Sequence, residues 1–419
     1  MASITYKNDY GHYLMAISNK IVRVIEFASR LCYDANEKMT ETSWEKYIGA
    51  RVKSGHESVI EHGLMTVVID YCNEWGDSAD IESLIANSNS LLHYVYDRGW
   101  NPKSVNTEQV IISGNLKMWR DFFKYYFNMH LHYKSVNTIF NMFMIFDNHA
   151  HGIFTKDIPN ANLSSAVINY LFDASNLHVS LGKEWDNTEL LKKENMDLIY
   201  RQNQNNIEDI WVNLNNHDVY NEEHDHGVEY WCASCDNFAR ELSLNNEHNI
   251  PNYLIAFLNK HTLDINSISL FIKMPRIITQ QESRHRINSM SQRSQRYVDE
   301  SVSDMSYYTP TTVDKNQVFK VEKGDVTLDV TYGEMNEWIM AFYKALRIAE
   351  VPKEDARFIL NNGVYSLMMV TKPFHTLPHY FKERCSNAAQ KEIREPAIAL
   401  RNYLNDKFAY TVANNNKVF

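Results

Sequence analysis

Apolar positions along the chain fall into two periods, and each predicts elements. Ile21, Val24, Ile25, Ala28 and Leu31 recur at three and four residues and predict a helix ending near Tyr33 and Asp34. Trp44, Tyr47, Ile48 and Val52 predict a second helix, stopped at Gly55. After the polar run His56 to His62, the continuous apolar and β-branched run Leu64-Met65-Thr66-Val67-Val68-Ile69 reads as a buried strand. The same texture returns at Ser267 to Lys273, where Met274-Pro275 closes it, and a short helix through Ile277, Ile278 and Gln281 delivers the chain to Arg284.

Between these runs, residues 73–263 are rich in Asn, Tyr and His and read as mainly helical where periodic, as at Trp119, Phe122, Phe123, Tyr126 and Phe127. Gln202 to Asp225 reads as including a polar surface loop. In the last third, Trp338, Phe342, Ala345, Leu346 and Ala349 mark one helix, Pro352 precedes another at Lys353, and a long helix is expected from Tyr380 to about Tyr403 with a break at Pro396. No internal repeat is visible. Strands and helices mix without a βαβ rhythm, which predicts an α+β fold: a mixed sheet flanked by helices, with a mainly helical insertion. The expected units are a catalytic core in two parts, 1–72 and 264–419, around an insertion at 73–263.

At 419 residues the chain exceeds one ordinary core, and 44% hydrophobic with 22% charged residues is the make-up of a globular protein. No apolar run is long enough to span a membrane, and the first residues lack the pattern of a signal peptide, so the expected place is a cytoplasm, a host's if the gene is viral. A net charge of −10 argues against nucleic acid as a partner. Five cysteines do not suggest a disulfide framework.

Positive charge is nonetheless concentrated in Arg284-His285-Arg286-Ile287-Asn288-Ser289-Met290-Ser291-Gln292-Arg293-Ser294-Gln295-Arg296-Tyr297. No acidic residue interleaves until Asp299 and Glu300, so a solvated face of alternating charges fits poorly. Guanidinium forks, hydroxyls and amides at this density suit a small anion such as a phosphate.

This segment carries a resemblance. Arg-His-Arg, seven residues, then Ser, continued by Gln-Arg-Tyr, is similar to the signature of the flavin-dependent thymidylate synthases. Ala28-Ser29-Arg30-Leu31-Cys32-Tyr33 resembles that family's first-helix motif, and Gly55-His56-Glu57-Ser58-Val59-Ile60-Glu61-His62 its Gly-His-x-Ser/Thr-x-x-Glu-His turn. Ala356-Arg357, and Arg384 with Ala389 to Arg394, resemble its C-terminal stretches. The resemblance implies a homotetramer with sites between subunits, acting on dUMP with FAD, methylenetetrahydrofolate and NADPH. It implies that His56, Ser58, Glu61, Arg284, His285, Arg286 and Ile287 hold the flavin. By the same resemblance Gln281, Gln292, Arg293, Ser294, Gln295, Arg296, Arg357 and Arg384 surround the nucleotide. Of these, Arg384, Arg293 and Ser294 are the catalytic candidates: Arg384 for charge on the uracil, Arg293 with Arg296 for the phosphate, and Ser294 as a ligand rather than a nucleophile, since no adjacent base would activate it.

The chain also departs from the family. Its Asn-x-Arg turn before the last helix is replaced within Thr371-Lys372-Pro373-Phe374-His375, and its Asn-Glu pair inside the signature reads Ser291-Gln292. Ile112 to Phe122 resembles the missing turn and helix, displaced; Asn115 and Lys117 then replace the lost pair near the flavin, while a Gly-Asn helix start with a buried Trp119 fits the same residues somewhat better. His224-x-His226 with Cys232-x-x-Cys235 has ligand types for zinc, although the spacing is short, and no metal is expected. His130 with His132 and His149 with His151 read as ordinary histidines. Two further functions stay open: hydroxymethylation of dUMP or dCMP if the altered turn admits water, and a nucleotide-binding homologue without catalysis.

Overall fold

The computed structural model describes residues 3–8, 12–16, 21–40, 43–72, 78–98, 107–129, 136, 177–178, 211–213, 229–233, 260–301, 307–314 and 316–408. Two sheets organise them. The first has the order β4-β5-β3-β2-β1-β6, from β1 (Ser3–Asn8), β2 (His12–Ala16), β3 (Leu64–Cys72), β4 (His93–Arg98), β5 (Thr107–Asn115) and β6 (Leu177–His178). The second has the order β10-β13-β9-β8-β7, from β7 (Trp211–Asn213), β8 (Glu229–Ala233), β9 (Ser267–Pro275), β10 (Ser289–Gln292) and β13 (Tyr365–Pro373). A separate hairpin, β11 (Val318–Lys323) with β12 (Val326–Thr331), precedes the long C-terminal helices.

The fold is α+β. Every strand pairing among the described residues is antiparallel, where a mixed sheet was expected. The stretch 73–263 supplies strands as well as helices, and β5 pairs with β3 along the whole length of both.

β-Branched and apolar residues on alternate positions give β9 and β13 two buried faces. Ile268, Leu270, Ile272, Met274, Met368 and Val370 pack on α9 (Leu377–Arg384) and α10 (Lys391–Phe408). On the opposite face Met369 and Phe271 meet Val24, Ala28 and Phe27 of α1 (Ile21–Leu31). In the first sheet, Val110, Ile111 and Ile112 are fully buried, as are Trp119, Phe123 and Tyr126 of α4 (Leu116–Asn128). Burial of each such phenylalanine is worth about 1.5–3 kcal/mol. The Trp119 indole N–H is satisfied by the Met65 carbonyl at 3.0 Å, which ties α4 to β3.

The helix expected over Tyr380 to Tyr403 is two helices. The break falls at Cys385–Gln390, where the Arg394 side chain caps the carbonyls of Asn387 and Ala389 at 3.1 and 3.4 Å. Pro396 lies inside α10, near its start, where its missing N–H costs a single helical bond. Gly55 does terminate α2 (Trp44–Lys53): it sits at φ +84°, in the left-handed region, and its N–H bonds the Val52 carbonyl.

Candidate functional site

The left-handed turn at Gly55 sends the chain into a 3₁₀ turn, Glu57–His62, which lies against the signature strand β10. His62 is fully buried, with Nδ1 2.9 Å from the Thr371 hydroxyl and Nε2 2.9 Å from the Ser291 hydroxyl. Burial holds its pKa down at about 3, so the ring is neutral and each hydroxyl rotates to match its nitrogen. The Ser289 hydroxyl donates to the Glu61 carbonyl at 2.6 Å. Ser289 and Ser291 therefore fasten the turn to the sheet, and the polar run Ser289–Gln292 is a strand because its buried hydroxyls find partners.

The signature arginines divide into two groups. Arg284 and Arg286 are exposed and make no ion pair among the described residues. Arg296 is exposed, with Nε 3.4 Å from Glu354. Arg293 is only 2% exposed, clamped by Glu300 at 3.1 Å and Asp34 at 3.0 Å, and its N–H bonds the Leu367 carbonyl. Its charge is answered inside the protein. The Gln292 amide donates to Thr279 and Ser366, the Ser294 N–H to the Cys32 carbonyl, and Gln295 is buried.

Arg384 reaches across from α9. Its Nε donates to His285 Nε2 at 2.8 Å and its Nη2 to the Gln281 carbonyl at 2.7 Å, while Nη1 makes no hydrogen bond among the described residues. Accepting at Nε2 puts the His285 proton on Nδ1. Burial first, then the positive charge of Lys372 and Arg384, pushes His285 down to about 4, so it stays neutral beside the guanidinium. The ring stands edge-on to Tyr380 at 4.8 Å between centroids. Below it lies a buried network: Lys372 pairs with Glu282, Tyr380 donates to the other Glu282 oxygen at 3.1 Å, and Lys372 sits 4.1 Å over the Tyr380 ring. Lys372 and Glu282 are both fully buried, and burial lowers the lysine's pKa against the opposing pull of Glu282.

Of the other expected positions, His56 is exposed and 3.4 Å from the Tyr33 hydroxyl, Ser58 is exposed, and Ile287 is an exposed apolar side chain. Gln281 bonds Gln390, and Arg357 Nε bonds the Glu354 carbonyl. The Asn115 side chain caps α4, accepting from the Met118 N–H at 2.9 Å. Lys117 Nζ lies 3.0 Å from Glu61 Oε1, and Arg120 Nη2 2.5 Å from Glu57, so the first turn of α4 rests on the Gly-His turn. Three groups went unremarked in the sequence. Burial and the nearby Arg357 lower the pKa of Arg276, and among the described residues its Nη1 has no hydrogen-bond partner; the Asn288 amide is buried with both polar atoms unpartnered among the same residues. Burial also raises the Cys32 thiol, beside Ser291. Arg276 is a lone arginine in a strand-to-helix turn, with no motif to mark it. His224, His226 and Cys235 lie outside the described residues, as does the side chain of Cys232, and so do His130, His132, His149 and His151. No helix among the described residues is long and apolar enough to cross a membrane.

A turn of the form Gly-His-x-Ser-x-x-Glu-His seated on the strand that follows Arg-His-Arg is thus a physical unit as well as a motif. The family described as thymidylate synthase complementing protein matches residues 199–408, half of the chain. The chain belongs to this family. Among its relatives, a flavin-dependent thymidylate synthase of Nitratidesulfovibrio vulgaris is 38% identical over 143 residues, covering 33% of this chain and 57% of the relative. One of Pyrococcus furiosus is 30% identical over 174 residues, covering 41% of this chain and 67% of the relative. The chain thus spans little more than half the length of the first and two thirds of the second. A solved UMP/dUMP methylase of Streptomyces cacaoi aligns at 19% identity and a TM-score of 0.28, over 40% of this chain and 83% of that one.

Proposed function

We propose that the protein methylates dUMP reductively to dTMP, using FAD with methylenetetrahydrofolate and NADPH as co-substrates. The observation that carries this reading is a cationic surface left unneutralised: Arg284 and Arg286, in the turn that leads into β10, are exposed and make no ion pair among the described residues, and neutral His62 braces that strand through Ser291. Family membership and the names of the relatives support the same chemistry.

The residues fit a flavin dinucleotide and a nucleotide phosphate. Unpartnered polar atoms at Asn288 and Arg276 and unpaired guanidiniums at Arg284 and Arg286 are donors awaiting acceptors. In this reading Arg284, His285, Arg286 and Ile287, with His56, Ser58 and Glu61 of the turn, hold the flavin. Arg296, Arg357 and Arg276 face the phosphate. The flavin, when bound, supplies the hydride chemistry. Arg293 keeps α1, the signature and Glu300 in register. Arg384 presents Nη1 toward the pyrimidine; neutral His285 fixes its plane without competing for charge, and the guanidinium stabilises negative charge on a uracil carbonyl because it does not lose its proton. Gln281, Gln292, Ser294 and Gln295 shape the pocket around it. At the altered turn Lys372 is sealed against Glu282. In this reading the chain assembles as a homotetramer.

The test is the product mass after incubating the protein with FAD, NADPH, methylenetetrahydrofolate and dUMP. A gain of one methyl group is expected. A hydroxymethyl product, or no product from dUMP or dCMP with flavin absent from the purified protein, overturns the reading.

A further inference from the structure

The two sheets repeat one another. Each carries five strands in the order β4-β5-β3-β2-β1 or β10-β13-β9-β8-β7, so that β1 corresponds to β7, β2 to β8, β3 to β9, β4 to β10 and β5 to β13. The central strands β3, β5, β9 and β13 are each nine residues long. Their registers superpose: Leu64 faces Asn115 as Ser267 faces Pro373, and Cys72 faces Thr107 as Pro275 faces Tyr365. The edge strands agree too, His93 opposite Ser113 and Ser289 opposite Thr371. A helix follows the third strand of each set, α3 (Ser78–Ser88) and α6 (Arg276–Glu282), and another follows the fifth, α4 and α9. One non-ladder bond recurs at equal length: Leu116 N–H to the Gly63 carbonyl and Phe374 N–H to the Asn266 carbonyl, both 2.9 Å.

This correspondence pairs side chains residue by residue. Glu61 stands where Asp264 stands, Lys117 where His375 stands, and His93 where Ser289 stands. The contacts are exchanged between the units in the same way. Glu61 of the first unit, paired with Lys117 beside it, meets Ser289 of the second; Asp264 and His375 of the second meet His93 of the first. One junction leads into Arg284–Arg286. At the other, the five residues before β4 are Ser88-Asn89-Ser90-Leu91-Leu92, without a cation. There the rings of His93 and His261 lie within hydrogen-bond reach of Asp264, while Lys260 pairs with Asp97 and His261 lies 3.4 Å from it.

We infer that the chain is an internal duplication whose first copy carries no signature and supplies the Glu61–Lys117 pair, within the same chain, to the anion site of the second. The equivalent junction around Asp264 is a closed contact that takes no anion. There is then one flavin site per chain. Lys117 is a positioning residue: through Glu61 it sets the turn that lies on the signature strand. The identification of the ligand as a flavin rests on the proposed function; the duplication does not.

The test uses full-length chains stripped of ligand and titrated with FAD. The wild type is expected to take one FAD per chain. Lys117→Met should weaken binding at least tenfold, Lys117→Arg should restore it, and His375→Gln should leave it within twofold. Chains carrying Lys117→Met and chains carrying Arg284→Gln, co-expressed with different tags, should recover no tight site. Recovery in the mixture would place the site between chains, and equal losses from His375→Gln and Lys117→Met would make both junctions ligand sites; either overturns the inference, as does wild-type binding in Lys117→Met. If the wild type takes no FAD, the same series with inorganic pyrophosphate separates the two ideas. The same pattern with pyrophosphate retains the duplication and discards the flavin, whereas no binding discards both.

Discussion

The junction at Glu61–Lys117–Ser289 and the junction at Asp264–His375–His93 occupy equivalent places in two sheets of the same order, yet they face opposite demands. At the second, donors and acceptors satisfy one another: Asp264 takes bonds from His93 at 2.8 Å and His261 at 2.9 Å, and His93 stacks on His375 at 4.0 Å. At the first, the hydroxyls and His62 are satisfied, but the neighbouring Arg284 and Arg286 are not. A backbone scaffold thus serves either a contact or a site, and the difference lies in which polar groups are left without internal partners.

The largest expected effect lies just beneath the working junction. Lys372 is buried against Glu282, whereas the equivalent strand position in the first unit is Gly114, where a Cβ would fall 2.4 Å from Leu92. Removing one partner of a buried ion pair leaves an unanswered charge, so Glu282→Ala should cost about 3–5 kcal/mol in urea unfolding. Glu282→Met with Lys372→Met should recover most of that loss. A single variant no less stable than wild type would show that the pair is not confined as described.

Next come the exposed arginines. Arg284→Ala and Arg286→Ala should each weaken FAD binding by about 1.5–3 kcal/mol, the worth of a charge-assisted hydrogen bond. Neither should move the unfolding midpoint, since neither has an internal partner. A stability loss without an affinity loss would make them structural.

The elements around the working site were legible because they rest on local periodicity: α1, α2, β3, β9 and α6 follow from runs of apolar side chains and from Gly55 and Pro275. The signature was legible as chemistry but not as a strand, because Ser289 and Ser291 are buried by hydrogen bonds to Glu61 and His62 that are remote in sequence. The break before α10 depends on Arg394 reaching back to Asn387 and Ala389, which no local rule for proline supplies. The repeat was invisible because strand pairing runs through the backbone. Leu-Met-Thr-Val-Val-Ile-Asp-Tyr-Cys and Ser-Ile-Ser-Leu-Phe-Ile-Lys-Met-Pro share a register and a propensity but hardly a residue.

His62 sharpens the comparison through pH, because the first unit's turn carries it where the second unit's has Ile265. Its folded pKa of about 3 lies below the usual 6.5. Between those values the unfolded chain binds the proton and the folded one does not. The stability due to a neutral His62 is therefore complete above pH 6.5 and declines as pH falls through that window. By pH 5 the loss should reach about 2 kcal/mol. His285 and His375, each held near 4 chiefly by burial, add to the same trend. In His62→Gln the urea midpoint should be lower at pH 7.5 but fall less steeply toward pH 5; an unchanged slope would mean that His62 does not resist protonation.

The smallest effect is the one that separates the two junctions most directly. Burial pushes Asp264 up, but bonds from His261 and His93 outweigh it and hold the carboxyl well below the usual range. Its contribution is therefore present above ordinary carboxylate pKa values and lost only in acid. Glu61 is comparably exposed, 25% against 21%, and is likewise paired with a base. Asp264→Asn and Glu61→Gln should therefore cost similar stability at pH 7.5, about 1 kcal/mol or less, as partly exposed pairs do. Their effects on FAD should differ: Glu61→Gln loosens Lys117 and the turn on the signature strand, while Asp264→Asn touches a junction with no arginines. Equal losses of affinity would mean that both junctions bind ligand, and that the two copies diverged in sequence without dividing their work.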